Sequence, residues 1–212
     1  MKKDFNSIET SFVNSGIPTY HTNSFLSNFE HKYKTVDKND KFYSTLIELT
    51  DKILSDDRQL SKYIFLCGTP GSGKTHFMVG LYRALVHKLG YIQGDGVLFV
   101  TFANLAQEII SLFKDNIPLR TSISGYTQSK WLFIDDFTSS ERMLKEDSLE
   151  FNIFRDILID RYEKGYYIIA SSNFSSVDLL GQLDRLFGAY ITSRLSESKI
   201  IQFPNIDLRR VR

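Results

Sequence analysis

Apolar residues fall into two patterns along this chain: short runs of about five, and longer stretches in which they recur every three to four positions. The short runs are Tyr63–Cys67, Val97–Phe102, Trp131–Ile134, Tyr166–Ala170 and Lys199–Phe203. Runs of this length, rich in branched and aromatic residues, predict strands buried on both faces of a sheet. The helical spacing covers Tyr43–Leu54, through Leu46, Ile47, Leu49, Ile53 and Leu54, and His76–Leu89. It returns from Asn104, placed as a helix cap, to Phe113, then over Leu149–Tyr162, which Gly165 stops, and over Val177–Leu195. Strands alternating with helices predict an α/β fold, a parallel five-stranded sheet with right-handed crossovers and helices on both faces. Residues 1–30 are polar around Gly16-Ile17-Pro18 and are expected to be an extended leader, with residues 31–212 forming one domain. The segment 114–130, with Pro118 and Gly125, is expected to be irregular or to open with a short extra helix.

Composition narrows the classes without choosing among them. A chain of 212 residues with 42% hydrophobic content can bury the core of one such domain. Lys+Arg 26 against Asp+Glu 25 leaves a formal charge of +1, so any surface for nucleic acid must be a local patch. The single cysteine, Cys67, excludes a disulfide framework and a cysteine-based zinc site and fits a reducing compartment. Neither a signal peptide nor an apolar stretch long enough to span a bilayer is present, so a cytoplasmic protein without membrane contact is expected. The histidines His21, His31, His76 and His87 have no metal-ligand spacing.

The chemistry enters between the first strand and the following helix, at Gly68-Thr69-Pro70-Gly71-Ser72-Gly73-Lys74-Thr75, a complete GxxxxGK[ST] sequence. A triphosphate needs several backbone N–H groups turned inward at once, and glycines let the chain curl closely enough to present them. Lys74 then supplies a cation for the β- and γ-phosphates and Thr75 a hydroxyl for Mg²⁺. Gly68, Thr69, Pro70, Gly71, Ser72, Gly73, Lys74, Thr75 and His76 form the expected ATP-holding set. The third strand ends in Asp135-Asp136, where Asp135 is placed to hold the metal and Asp136 to orient or deprotonate the attacking water. The fourth ends in Ser171-Ser172-Asn173. If that strand neighbours the one bearing Asp135, Asn173 offers a neutral amide beside the γ-phosphate; the same residues also suit a helix cap. Arg194, in Thr192-Ser193-Arg194-Leu195, follows a helix and precedes the last strand, and an arginine lent by a neighbouring subunit can stabilise charge on a γ-phosphate.

These elements in this order resemble the AAA+ ATPases. Gly16-Ile17-Pro18-Thr19-Tyr20 with Phe25 and Phe29, Val97–Leu105, Leu158–Tyr162, Ser172-Asn173, Ser193-Arg194-Leu195 and Asp207–Arg210 look like the DnaC/DnaI helicase loaders and the related IstB transposition ATPases, over residues 16–212. The resemblance implies a P-loop AAA+ core with Asn173 as sensor 1 and Arg194 as an arginine finger acting in trans. It implies residues 105–130 as an extra helix lining a channel for single-stranded DNA. It further implies self-association through the ATP sites and a replicative helicase or a transposase as partner. The chain departs from the loaders in having few residues before Gly16 where they carry an N-terminal adaptor, and it is expected, as they do, to lack the C-terminal helical lid of most AAA+ proteins. Lys114, Arg120, Tyr126 and Lys130 are the basic and aromatic positions expected to meet DNA. The other readings are a transposition regulator, a P-loop kinase for a small metabolite, which would need an arginine-bearing lid and an acceptor pocket, and a scaffold with a dead site.

Overall fold

The computed structural model describes residues 16–36, 40–89, 96–114, 123–137, 148–195 and 197–210. The strands are β1 (Tyr63–Cys67), β2 (Val97–Thr101), β3 (Trp131–Asp135), β4 (Tyr167–Ser172) and β5 (Lys199–Gln202). They form one parallel sheet in the order β2-β3-β4-β1-β5. The helices are α1 (Leu26–Val36), α2 (Asp40–Leu54), α3 (Lys74–Leu89), α4 (Phe102–Lys114), α5 (Ser124–Gln128), α6 (Leu149–Lys164) and α7 (Ser176–Leu195).

The pleat sorts the strand residues into two cores. Tyr63, Phe65 and Cys67 of β1, Leu132 and Ile134 of β3, and Ile168 and Ala170 of β4 face α4 to α7. Ile64 and Leu66, Trp131 and Phe133, and Tyr167 and Ile169 face α1 to α3. Burial on both sides is why these strands are continuous apolar runs. Burial also pushes the Cys67 thiol up to about 12, so the cysteine is inert packing.

Local signals explain the element ends. The Ser148 hydroxyl accepts from Phe151 N at 3.1 Å and opens α6, and Gly165 closes it with φ 66°. The α4 cap differs from expectation: the helix begins at Phe102, and the Thr101 hydroxyl accepts from Asn104 N at 3.2 Å, so Thr101 is the capping side chain. Strand β4 runs two residues further than its apolar run, because Ser171 and Ser172 pair with Leu66 and Cys67. A short helix, α5, lies near the end of the 114–130 segment rather than at its opening, most of which (115–122) is outside the described residues. Gly94, Asp95, Pro118 and Arg120, with the Lys114 side chain, lie outside the described residues.

The leader is the largest departure. Residues 1–15 lie outside the described residues, but 16–30 are packed rather than extended. A tight turn at Thr19–His21 leads into α1, whose Phe29 and Tyr33 are buried against α3. Gly80 on α3 permits this approach, since a Cβ there would meet Leu26 N at 2.7 Å. Arg83 donates to Thr22 O and lies over the Phe25 ring, and His76 Nε2 is 2.5 Å from Asn28 Oδ1. These contacts tie the segment to the helix that carries the phosphate loop.

Arg161 shows how charge can serve as a core component. Its side chain is 0% exposed, and Nη1 donates to Tyr126 O, Ser129 O and Ser129 Oγ while Nη2 donates to Lys130 O and Tyr167 O. The guanidinium thus joins α5, the start of β3 and the start of β4, and burial pulls its pKa down to about 10. Arg161→Ala would leave those carbonyls unpaired around a cavity, at a cost of about 3–5 kcal/mol. The expected fall in melting temperature is on the order of 10 °C, read by circular dichroism.

Candidate nucleotide site

The phosphate loop leaves β1 at the carboxyl edge of the sheet and enters α3 at Lys74. Its curvature rests on Gly68 (φ 142°), Gly71 (φ 85°) and Gly73 (φ 97°), conformations that side chains rarely adopt. Distant chain supports its outer side. Leu208 N donates to Gly71 O at 2.9 Å and Thr69 Oγ1 to Asn205 Oδ1 at 3.1 Å. A Cβ at Gly71 would lie 2.1 Å from Asp207 Oδ1, and one at Gly73 would lie 2.8 Å from both Leu208 and Phe29. Asp207 is paired with Arg209 and Arg210, which hold its carboxyl below the usual range, the Arg209 hydrogen bond first.

Within the loop, the Lys74 ammonium is buried and donates to Gly68 O at 2.7 Å and Thr69 O at 2.9 Å. Burial lowers its pKa, while Asp135 and then Asp136 oppose that shift. Ser72 Oγ is buried with no hydrogen-bond partner, a donor awaiting an acceptor. His76 contributes backbone at the helix start, but its side chain turns away to Asn28 and the Phe29 ring.

Asp135 is not on a strand next to β1. Strand β4 lies between them, so the carboxylate reaches the loop across a strand, and the residue in between is Ser171. Thr75 Oγ1 donates to Asp135 Oδ1 at 2.9 Å and Ser171 Oγ donates to the same oxygen at 2.6 Å. Burial raises the Asp135 pKa, and the Ser171 and Thr75 hydrogen bonds oppose the rise. Asp136 follows at φ 55°, its N–H donating to Ser171 Oγ at 2.8 Å, and Asn173 Nδ2 donates to Asp136 Oδ1 at 2.8 Å. Tyr20 also borders this edge. Partial burial of its hydroxyl, then the Asp135 and Asp136 charges, raise its pKa, with Arg209 opposing.

The cradle suits a triphosphate and a divalent cation. It offers inward-curving backbone, a buried cation, the orphaned Ser72 hydroxyl and a paired hydroxyl and carboxylate. Among the described residues no group of three or more His, Cys, Asp or Glu side chains could hold a metal alone, so a cation here would share Thr75 and Asp135 with ligand oxygens.

Arg194 lies elsewhere. It sits in the last turn of α7, rather than beyond the helix, with its guanidinium 5.1 Å from the Tyr162 ring centre. Tyr162 stacks on Tyr63, the first residue of β1. That is the amino edge of the sheet, about 13 Å along β1 from the loop at 3.3 Å per residue. The DNA positions also separate. Tyr126 is buried, its hydroxyl donating to Glu108, so it cannot serve as a stacking platform. Lys130 is paired with Asp56 at 2.7 Å at the amino edge.

No family model and no curated protein sequence matches this chain. Solved structures do. The DnaC helicase loader superposes with a TM-score of 0.67 at 19% identity, covering 88% of this chain and 100% of that one. DnaI gives 0.66 at 18% identity, covering 88% and 94%. The chain has the AAA+ fold. The replication initiator DnaA bound to AMPPCP and single-stranded DNA shares this core at 0.64 and 19% identity, over 87% of this chain and 51% of DnaA. Among the described residues of this AAA+ core no helix is long and apolar enough to cross a membrane.

The local sequence patterns single out the phosphate loop, Asp135, Asp136 and Asn173, but not Ser171, Tyr20 or the Asn205–Arg209 segment that supports the loop. The signal for Ser171 is a polar residue near the end of a buried strand, level with Asp135 on the next strand. Strand order was needed to interpret it.

Proposed function

We propose that this protein binds and hydrolyses ATP with Mg²⁺ as an AAA+ subunit acting in DNA replication, as a helicase loader or a related remodelling factor. The observation that carries the reading is the unbroken line of hydrogen bonds from Thr75 through Asp135 and Ser171 to Asp136 and Asn173. Such a line joins the phosphate loop to a candidate base and a neutral amide, the parts that hydrolysis requires. The shared fold of DnaC, DnaI and DnaA supports the replication assignment.

In this reading Lys74 exchanges the carbonyls of Gly68 and Thr69 for phosphate oxygens, and Ser72 gains the acceptor it lacks. Thr75 and Asp135 would hold Mg²⁺, which would neutralise charge on the phosphates. Asp136 takes the proton of the water attacking the γ-phosphorus, and Asn173 fixes the carboxylate and orients that water. Arg194, at the far edge, serves the site of a second copy. Contact with single-stranded DNA rests on Lys114, Arg120 and Lys130, whose ion pair with Asp56 is solvent-exposed, and not on the buried Tyr126.

Asp136→Asn is expected to bind ATP as the native protein does and to lose turnover on the order of a hundredfold, as removal of a general base does. Parallel measurement of nucleotide affinity and phosphate release checks this. The assignment itself is tested by phosphate release with single-stranded DNA and a replicative helicase present. Consumption of ATP only when a nucleoside is supplied would turn the reading into a kinase.

A further inference from the structure

We propose that Ser171 is a positioning residue for the metal–nucleotide complex, a single hydroxyl that sets the orientation of the metal-binding acid Asp135 and of the turn carrying Asp136. The inference rests on the nucleotide reading above and extends it to a residue that touches neither phosphate nor metal.

A buried serine at the end of a strand usually satisfies itself locally, through a nearby backbone carbonyl. This one does not. Ser171 is 2% exposed on a strand packed between β1 and β3, and its hydroxyl donates to Asp135 Oδ1 at 2.6 Å across the sheet. It simultaneously accepts from Asp136 N at 2.8 Å, so its one proton and one of its lone pairs are both assigned. Donation from the other side by Thr75 brings two hydroxyls to Oδ1. Two bonds to one oxygen fix the rotation of the carboxylate, and the second oxygen is left to face a cation.

The same residue braces the turn. Asp136 at φ 55° is a strained conformation for a residue with a side chain, costing about 1–3 kcal/mol unless its surroundings enforce it. Ser171 enforces it twice: its hydroxyl takes the Asp136 N–H, and its carbonyl takes Phe137 N at 3.0 Å. Phe137 is itself buried against Phe65 and Phe154. Removing the hydroxyl would therefore free the carboxylate and loosen the turn from one side while leaving the backbone bond and the core in place.

Outer partners of metal ligands typically account for about 10–100-fold in metal affinity. Two substitutions separate hydrogen bonding from packing. Ser171→Ala removes the hydroxyl, and Ser171→Cys keeps the volume but substitutes a weak donor. The measurement is the affinity of the full chain for a fluorescent ATP analogue, in EDTA and at increasing Mg²⁺. Both variants are expected to match the native protein in EDTA and to need roughly tenfold or more Mg²⁺ for the same gain in affinity. A Ser171→Cys protein with native Mg²⁺ dependence would overturn the proposal, as would equal losses with and without Mg²⁺, since a packing role alone gives either. Should Ser171→Ala fail to fold, Ser171→Cys carries the test alone. A native protein that binds no nucleotide in any of these conditions would refute the nucleotide reading first and this inference with it.

Discussion

Lys74→Ala is expected to abolish detectable nucleotide binding, and with it all turnover. The native ammonium is buried inside the loop, where its charge is poorly screened, so its pairing with phosphate is worth more than a surface contact. Truncating one member of a buried charge pair costs about 2–5 kcal/mol, which is on the order of a hundredfold or more in affinity. The fold should persist, because the side chain's present partners are the carbonyls of Gly68 and Thr69 in its own loop and it joins no other element of the fold. Binding of a fluorescent ATP analogue, with circular dichroism as control, reads the outcome. Native affinity in Lys74→Ala would remove the phosphate loop from the function altogether.

Arg194→Ala is expected to bind ATP normally and to lose turnover by on the order of a thousandfold or more, the typical worth of an arginine finger. The guanidinium lies against Tyr162 at the amino edge of the sheet, whereas the phosphate loop is at the carboxyl edge. It cannot serve its own site without the sheet coming apart. Activity should therefore rise more steeply than linearly with protein concentration. Mixing decides the matter, because Lys74→Ala retains its finger and Arg194→Ala retains its loop. Combining these two inactive proteins should restore part of the turnover at shared interfaces. A mixture that stays inactive while both partners assemble, or full activity of dilute Arg194→Ala, would exclude action in trans.

The sequence disclosed groups whose chemistry depends on near neighbours in the chain. The glycines of the loop, Lys74, Thr75 and the Asp135-Asp136 pair are local patterns, and the strands announced themselves because burial on both faces removes polar alternation. What escaped depends on strand order and on distant segments. Tyr126 looked like an exposed aromatic beside basic residues, yet its hydroxyl finds Glu108 and its carbonyl finds Arg161. Nothing near Arg161 in the sequence reveals the carbonyls that surround its guanidinium. The polar composition of residues 16–30 concealed that Phe29 within them, with Tyr33 just beyond, anchors α1 to α3. Ser171 could be weighed only once β4 was known to separate β1 from β3.

The strand order also governs how the chain comes into being. Strand β1 is made early, but its sheet partners are β4 and β5, with Tyr63 beside Ile168 and Ile64 beside Lys199. At ordinary rates of synthesis, about 5–20 residues per second, the finished phosphate loop must wait roughly 6–25 s before Lys199 is made. Until β4 is made Tyr63–Cys67 has both edges unpaired, and its β5 edge stays open for the whole interval, an apolar segment prone to aggregation. The nascent chain thus depends on being held in solution until its last strand arrives, and substitutions that weaken β5 should show first as lost yield and only later as lost activity.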